Sequence, residues 1–188
     1  MFFGKFGQKP DKQCDAALKD IANGDKSALE VIYKTYARLI VSAAYQILQN
    51  KEDSEDVLQD VMIKVASNAS SYKPGSSPRA WVAAIARNTA LDKARSRRAN
   101  VSLDEYTDTD LPEQLIYEDS EEKRQLGEAL RSLPPDDRVI VDLKIYGGLK
   151  YKEISAALDI TPAAAQKRYE RAIDKLRTYF EEKEDTNG

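Results

Sequence analysis

The chain has 188 residues, 41% of them hydrophobic and 32% charged, with a formal net charge of −3. That length suits one ordinary domain or two small ones, and the near-balanced charge excludes a uniformly basic nucleic-acid coat, so any such surface must come from local charge segregation. The absence of histidine and the single Cys14 exclude Ser-His and Cys-His catalytic units and an internal disulfide, fit a reducing compartment, and leave no expectation of a zinc site or any other cofactor.

The opening MFFGKFGQKPDK has too short an apolar part for a secretory signal, and residues 1–11 are expected to form a flexible N-terminal arm. A first helix near Asp15–Ala22 is stopped by Asn23-Gly24, and Asp25 is the expected N-cap of the second. From Ala28 to Leu48, apolar residues recur at Leu29, Ile32, Tyr36, Leu39, Ala43 and Ile47, which describes one face of a long helix. A third helix begins in NKEDSEDVLQDVMIKVASNA, with Asp53 or Ser54 as the expected cap, acids in a first turn where the helix dipole favours them, and Val57, Val61 and Val65 on the core side. SSYKPGSSP cannot be helical. A fourth helix is expected over Arg79–Arg98, with Trp81, Ile85 and Asn88 on its inner side.

These four helices make a compact all-α domain over 12–98. Residues 99–122 hold nine acids and no base, and read as an acidic flexible linker. Helical pattern resumes over 123–182, broken at Pro134-Pro135 and Gly147-Gly148, and 183–188 is expected to be a flexible tail. No alternating pattern supports a sheet, and no apolar run reaches membrane-spanning length, so no membrane insertion is expected. The expected fold class is therefore all-α, two small helical domains joined by an acidic linker, the second a helix-turn-helix domain.

Three constellations carry chemistry. In the second domain, a short helix with core residues Ile154, Ala157 and Leu158 is followed by the turn Asp159-Ile160, then by Thr161 as cap and Pro162 at the first helical position. The next helix holds Gln166, Lys167, Arg168, Arg171 and Lys175 opposite Ala165, Tyr169, Ala172, Ile173 and Leu176. Its polar side suits a major groove entered N-terminus first, with Gln166 and Lys167 nearest base edges and the arginines toward phosphates. A plain solvated helix is the competing interpretation, and the agreement of cap, turn and basic face favours DNA. The fourth helix carries Arg79, Arg87, Lys93, Arg95, Arg97 and Arg98 against one acid, Asp92. Beside a loop containing Tyr72 and Lys73 it suits an unpaired strand; a charged surface helix would look the same. On the third helix Glu55, Asp56, Gln59 and Asp60 form an acidic face. A dipole-favoured solvated face explains it better than Mg²⁺ binding or acid–base catalysis, and a docking face for a basic partner is the third option. A free-standing operator-binding regulator and a metal-dependent helical enzyme are the rival functions; no phosphate loop supports the latter, and no enzyme activity is expected.

DSEDVLQDVMIKV (53–65), PRAWVAAIARNTALDKARSRR (78–98), LRSLPPDDRVIVDLKIYGGLKYKEISAAL (130–158) and KRYERAIDKLR (167–177), in that order and spacing, resemble the bacterial sigma factors of the extracytoplasmic-function (ECF) subgroup. The resemblance runs from about residue 17 to residue 180. It implies a protein that binds core RNA polymerase, directs it to specific promoters and helps melt the −10 element. Residues 12–98 would be sigma region 2, with Glu55, Asp56, Gln59 and Asp60 docking on the β′ clamp helices. The loop 71–78 and the fourth helix would hold −10 DNA through Tyr72, Lys73, Arg79, Arg87, Asn88, Lys93, Arg95, Arg97 and Arg98. Residues 123–182 would be region 4, contacting the β flap and reading the −35 element through Lys150, Thr161, Gln166, Lys167, Arg168, Arg171 and Lys175. The linker would thread the polymerase channel that nucleic acid uses. The resemblance also implies an anti-sigma partner and a bacterial cytoplasmic location, nucleoid-associated when active. Two departures stand out: Pro78 directly precedes Arg79-Ala80-Trp81, and Ala164-Ala165-Gln166 replaces the usual recognition run, so DNA shape is expected to carry part of the selectivity.

Overall fold

Helical apolar spacing becomes eight α-helices in the computed structural model, which describes residues 9–100 and 121–186. They are α1 (Lys9–Ala22), α2 (Leu29–Leu48), α3 (Lys51–Asn68), α4 (Pro78–Asn100), α5 (Glu121–Arg131), α6 (Pro135–Ile145), α7 (Tyr151–Leu158) and α8 (Pro162–Thr186), with 3-10 turns at Lys26–Ala28 and Ala69–Ser71. There is no strand among the described residues, and no helix is long and apolar enough to cross a membrane. The expected arm and linker lie largely outside the described residues; α1 takes in residues 9–11, α4 runs on to Asn100, and α8 continues past residue 183 to Thr186.

Local signals set most boundaries. Asp25 caps the 3-10 turn Lys26–Ala28 that leads into α2 rather than α2 itself, accepting the Ser27 N–H at 2.9 Å. The cap of α3 is Asn50 rather than Asp53 or Ser54: its side chain accepts the Asp53 N–H at 2.9 Å. Gln49 ends α2 in the left-handed region, at φ 51°, and leaves Asn50 extended. With the helix already capped, the Asp53 carboxylate turns instead to Lys93 and Arg97.

α2 lies at the centre, packed against α1, α3, α4 and α6. The side of α4 that turns inward is a run of small residues, Ala80, Val82, Ala83, Ala86 and Ala90, all buried. Small side chains let helix backbones approach closely, and they displace the expected inner residues: Trp81 and Ile85 are only half-buried and Asn88 is exposed. α5, α6 and α8 close around a second cluster of Ala129, Leu133, Val141, Ala172 and Leu176.

The two helical groups pack on one another. Ile140, Leu143, Leu149 and Ile154 belong to the same continuous buried cluster as Ile32, Ile40 and Val57. Arg138 is buried at this seam. Its Nε donates to the Gln46 carbonyl of α2 at 2.8 Å, and its Nη1 to the Leu133 carbonyl at 2.9 Å. Further polar contacts cross between the groups: Ser77 Oγ donates to Glu153 at 2.6 Å, Arg79 Nη1 to the Gly147 carbonyl at 2.8 Å, and Arg87 Nη2 to Asp136 at 2.8 Å.

The Gly147-Gly148 stop has two separate causes. Gly148 adopts φ +65°, a region L side chains disfavour. Gly147 is a close approach: a Cβ there would lie 2.7 Å from the Leu143 carbonyl oxygen, 2.8 Å from Leu149 Cδ1 and 3.0 Å from Leu39 Cδ1 across the seam. Gly147→Ala is expected to destabilise the chain by about 1–3 kcal/mol through overpacking, measured by urea denaturation.

Asp142 gives the seam a pH dependence. Its Oδ1 accepts the Ser42 hydroxyl of α2, while its Oδ2 is buried with no partner among the described residues. The residue keeps some surface elsewhere, but this carboxylate oxygen is out of water. Burial pushes the carboxyl from 3.8 up to about 7, against a smaller downward pull from Ser42. A carboxyl whose native pKa is raised binds its proton more tightly in the native state, so its contribution is present at low pH and is lost as pH rises through the native value. Stability should therefore fall between about pH 4 and about pH 7, and Asp142→Asn should flatten that fall. Denaturation midpoints at the two pH values check both signs.

Candidate nucleic-acid interface and docking face

The shape of α4 creates a surface groove. Ser77 precedes the helix, its Oγ accepting the Ala80 N–H at 3.2 Å, and Pro78 opens it where a missing N–H is harmless. Because the small residues turn inward, Trp81, Ile85 and Asn88 turn toward the surface, beside the buried Thr89. Together with Lys64 and Asn68 of α3 and Ser71 they line a shallow open groove. Its floor is aromatic and aliphatic, and its rim carries amides, a hydroxyl and an ammonium. Lys64 Nζ donates to Thr89 Oγ1 at 2.9 Å. Tyr72 is not available as an exposed contact: it is buried, its ring edge-on to Trp81 at 5.6 Å. Lys73 beyond it is exposed.

The cations of α4 do not form one free patch. Arg79 and Arg87 are held at the seam, and Arg87 Nη1 also lies 3.4 Å from the Asn88 side-chain oxygen. Lys93 pairs with Asp56 at 2.8 Å and Asp53 at 3.2 Å, and Arg97 pairs with Asp53 at 3.1 Å. Arg95 is exposed, 3.5 Å from Asp92 one turn earlier; the Arg98 side chain lies outside the described residues. The segregation of charge apparent in the sequence is thus partly neutralised between the start of α3 and the end of α4. Glu55, Gln59 and Asp60 remain exposed on α3, joined by Ile63 at 65% exposure. Asp56 is exposed too, but carries its Lys93 partner. The apolar Ile63 is a feature of this face that charge patterning alone did not single out.

α7 and α8 form the expected helix-turn-helix. α7 ends at Asp159 in the left-handed region (φ 55°), and the Ile160 N–H returns to the Ser155 carbonyl at 3.0 Å. Thr161 Oγ1 accepts the Ala164 N–H at 3.1 Å and caps α8. Ile154, Ala157, Leu158, Ala165, Ala172 and Leu176 are buried as expected, while Tyr169 and Ile173 are half-buried. Lys150, Thr161, Gln166, Lys167, Arg171 and Lys175 are all exposed. Gln166 donates to Glu170 at 2.9 Å, and Arg171 Nε to the Lys167 carbonyl at 3.3 Å. Arg168 turns away, 3.5 Å from Asp137 and 3.8 Å from Asp136. Asp136 therefore serves cations from both groups, Arg87 of α4 and Arg168 of α8.

The Sigma-70 region 2 family matches residues 32–100, and the Sigma-70 region 4 family matches residues 123–176. The chain is 33% identical over 180 residues to the ECF RNA polymerase sigma factor SigE of Mycolicibacterium smegmatis, covering 90% of this chain and 69% of the relative. It is 31% identical over 169 residues to the RNA polymerase sigma factor CarQ of Myxococcus xanthus, covering 89% of this chain and 97% of that one. The chain belongs to the ECF sigma factors. This ECF sigma factor shares its fold with CnrH, solved in complex with the cytosolic domain of CnrY (TM-score 0.69, 20% identity, 90% of this chain and 97% of that one). It also shares it with the sigma factor RpoE of Bartonella quintana, solved with the anti-sigma factor NepR (TM-score 0.68, 20% identity, 81% and 96%). Its function is promoter-specific transcription initiation by RNA polymerase.

Half-burial of Trp81 sets the scale of its structural role. Trp81→Ala is expected to cost about 1–2 kcal/mol, below the roughly 3–5 kcal/mol of a fully buried ring, by chemical denaturation.

Proposed function

We propose that this ECF sigma factor divides its work among three surfaces. The α3–α4 groove and the 71–78 loop take an unpaired base of the −10 element, with Lys73 and Asn88 at their edges. The observation that carries this reading is the outward turn of Trp81 and Ile85, which gives a base a stacking floor beside cations that follow a backbone. The exposed row Gln166, Lys167, Arg171 and Lys175, with Lys150 and Thr161, reads the −35 element as a duplex. The face of Glu55, Gln59, Asp60 and Ile63, with Asp56 at its edge, docks on the β′ clamp helices, and the second helical group contacts the β flap.

Lys93, Arg95, Arg97 and Arg98 lie toward promoter backbone, the first and third only when they leave Asp53 and Asp56. Arg79 and Arg87 join the DNA surface once the seam opens, because each guanidinium is engaged while the groups are packed; Arg168 joins it on leaving Asp136 and Asp137 of its own group. Residues 99–122 occupy the polymerase channel by charge complementarity. An anti-sigma protein is the natural regulator of such a chain; CnrH and RpoE, which share its fold, were solved with CnrY and NepR. The protein supplies recognition and strand separation rather than chemistry of its own, and works in the bacterial cytoplasm, on the nucleoid when active.

Run-off transcription with core polymerase over a genomic DNA pool tests the reading as a whole. Asp60→Arg is expected to weaken binding to core polymerase while the helical circular dichroism signal stays unchanged; unaltered affinity refutes the docking face. Arg171→Ala is expected to lower the salt slope of duplex binding by about one phosphate contact, and a wild-type slope refutes that role.

A further inference from the structure

Asp15 of α1 belongs to none of the surfaces above, yet its carboxylate organises the loop beside the groove. Oδ1 accepts the Gly75 N–H at 2.8 Å and the Tyr72 hydroxyl at 2.8 Å, and Oδ2 pairs with Lys19 at 2.9 Å. The Gly75 N–H, then Lys19 and Tyr72, hold the carboxyl down at about 2. Around this anion the loop closes on itself. Gly75 sits at φ +81°, the Ser76 N–H returns to the Lys73 carbonyl at 3.0 Å, and Ser76 Oγ reaches the same oxygen at 2.6 Å. Tyr72 then leans edge-on against Trp81, which lines the groove. An unbroken series of contacts thus runs from Asp15 through Tyr72 to the aromatic floor.

Lys73, Pro74, Gly75 and Ser76 are exposed, so the bond to Gly75 satisfies no buried backbone group. Water could serve that N–H equally well. What the carboxylate supplies is shape: a polar loop that would otherwise sample many conformations is held in one before a ligand arrives, and the ordering cost is removed from the binding step.

We propose that Asp15 is a positioning residue for capture of the unpaired promoter strand, fixing the 72–77 loop and the Trp81 ring in the arrangement that receives an unstacked base. The proposal rests on the reading of the α3–α4 groove as the −10 site. Asp15 touches no base in it; it acts through Tyr72 and Gly75.

The test uses holoenzyme reconstituted from the full chain and core polymerase, with randomised single-stranded DNA as the probe. Asp15→Ala is expected to weaken binding to the strands that wild type enriches by roughly tenfold, within the range of one base–aromatic stack, and to flatten the enriched sequence. Core-polymerase affinity should be unchanged. Trp81 is the chain's single tryptophan, so the emission of the free chain should shift as the Tyr72 contact loosens. Asp15→Asn keeps an acceptor for Gly75 and should restore most of the binding, a rescue that general destabilisation would not show. Should Asp15→Ala fail to fold, Tyr72→Phe decides the matter: it removes the hydroxyl's bonds to Asp15 and to the Ser76 carbonyl, leaves the ring in place, and is expected to lower strand selection in the same direction. Wild-type strand selection in a folded Asp15→Ala chain overturns the proposal, as does an equal loss of core-polymerase binding. Asn88→Ala, in the exposed lining of the groove, separates the two claims. If that chain selects strands like wild type, the groove reading itself fails; if it loses selection while Asp15→Ala does not, only the role of Asp15 fails.

Discussion

A buried guanidinium ties the molecule together. Arg138 has no carboxylate partner among the described residues; it is held by carbonyl oxygens at helix ends, Gln46 in the last turn of α2 and Leu133 and Arg131 at the close of α5. Unpaired carbonyls and the negative end of the helix dipole make such positions a natural seat for a cation. Desolvation disfavours the charge there and lowers its pKa, so the three carbonyls must together offset the cost of removing it from water. Since one acceptor comes from the first helical group and two from the second, the guanidinium needs both in place.

The rest of the seam is less completely satisfied. Arg87 Nε and Asp142 Oδ2 are buried side-chain atoms without a hydrogen-bond partner among the described residues, and both lie where the groups meet. Opening returns each to water, which partly offsets the cost of exposing the apolar surface between the groups. The seam also draws on the same side chains that suit phosphate. Arg87 reaches Asp136, and Asp136 lies within 4 Å of Arg168 on the recognition helix. A guanidinium bound to a carboxylate is not free for a phosphate, so seam and DNA compete for the same cations.

Much of this architecture was legible in residue order. The apolar spacing of α2, the small-residue and capping pattern at Thr161-Pro162, and the Gly-Gly stop each act within a few residues, and each marks its element in the sequence. The seam is different in kind. Arg79 and Arg87 are indistinguishable in sequence from Arg95, which is exposed; only the fold brings Gly147 and Asp136 to them. Asp136 and Asp137 look like ordinary first-turn acids, and that is also what they are. Trp81 was expected inside because large aromatics usually are, but a close α2–α4 approach requires alanine at the contact and rotates the tryptophan outward. The tie from Asp15 to the loop had no local signature, because Tyr72 and Gly75 lie roughly 60 residues away.

The second helical group has one further property that follows from how α5 is attached. The chain leaves the first group at the end of α4 and re-enters described structure at α5. Glu128 of α5 takes the Lys183 ammonium at 2.8 Å and the Tyr179 hydroxyl at 3.3 Å, both near the far end of α8. Gln166 and Lys183 are about 25 Å apart along that helix at 1.5 Å per residue. A pull arriving through the connecting segment therefore meets α8 at the end opposite its Thr161 cap, where a long rigid rod converts it into torque about the turn. The recognition helix has, in effect, a handle at the end far from its cap.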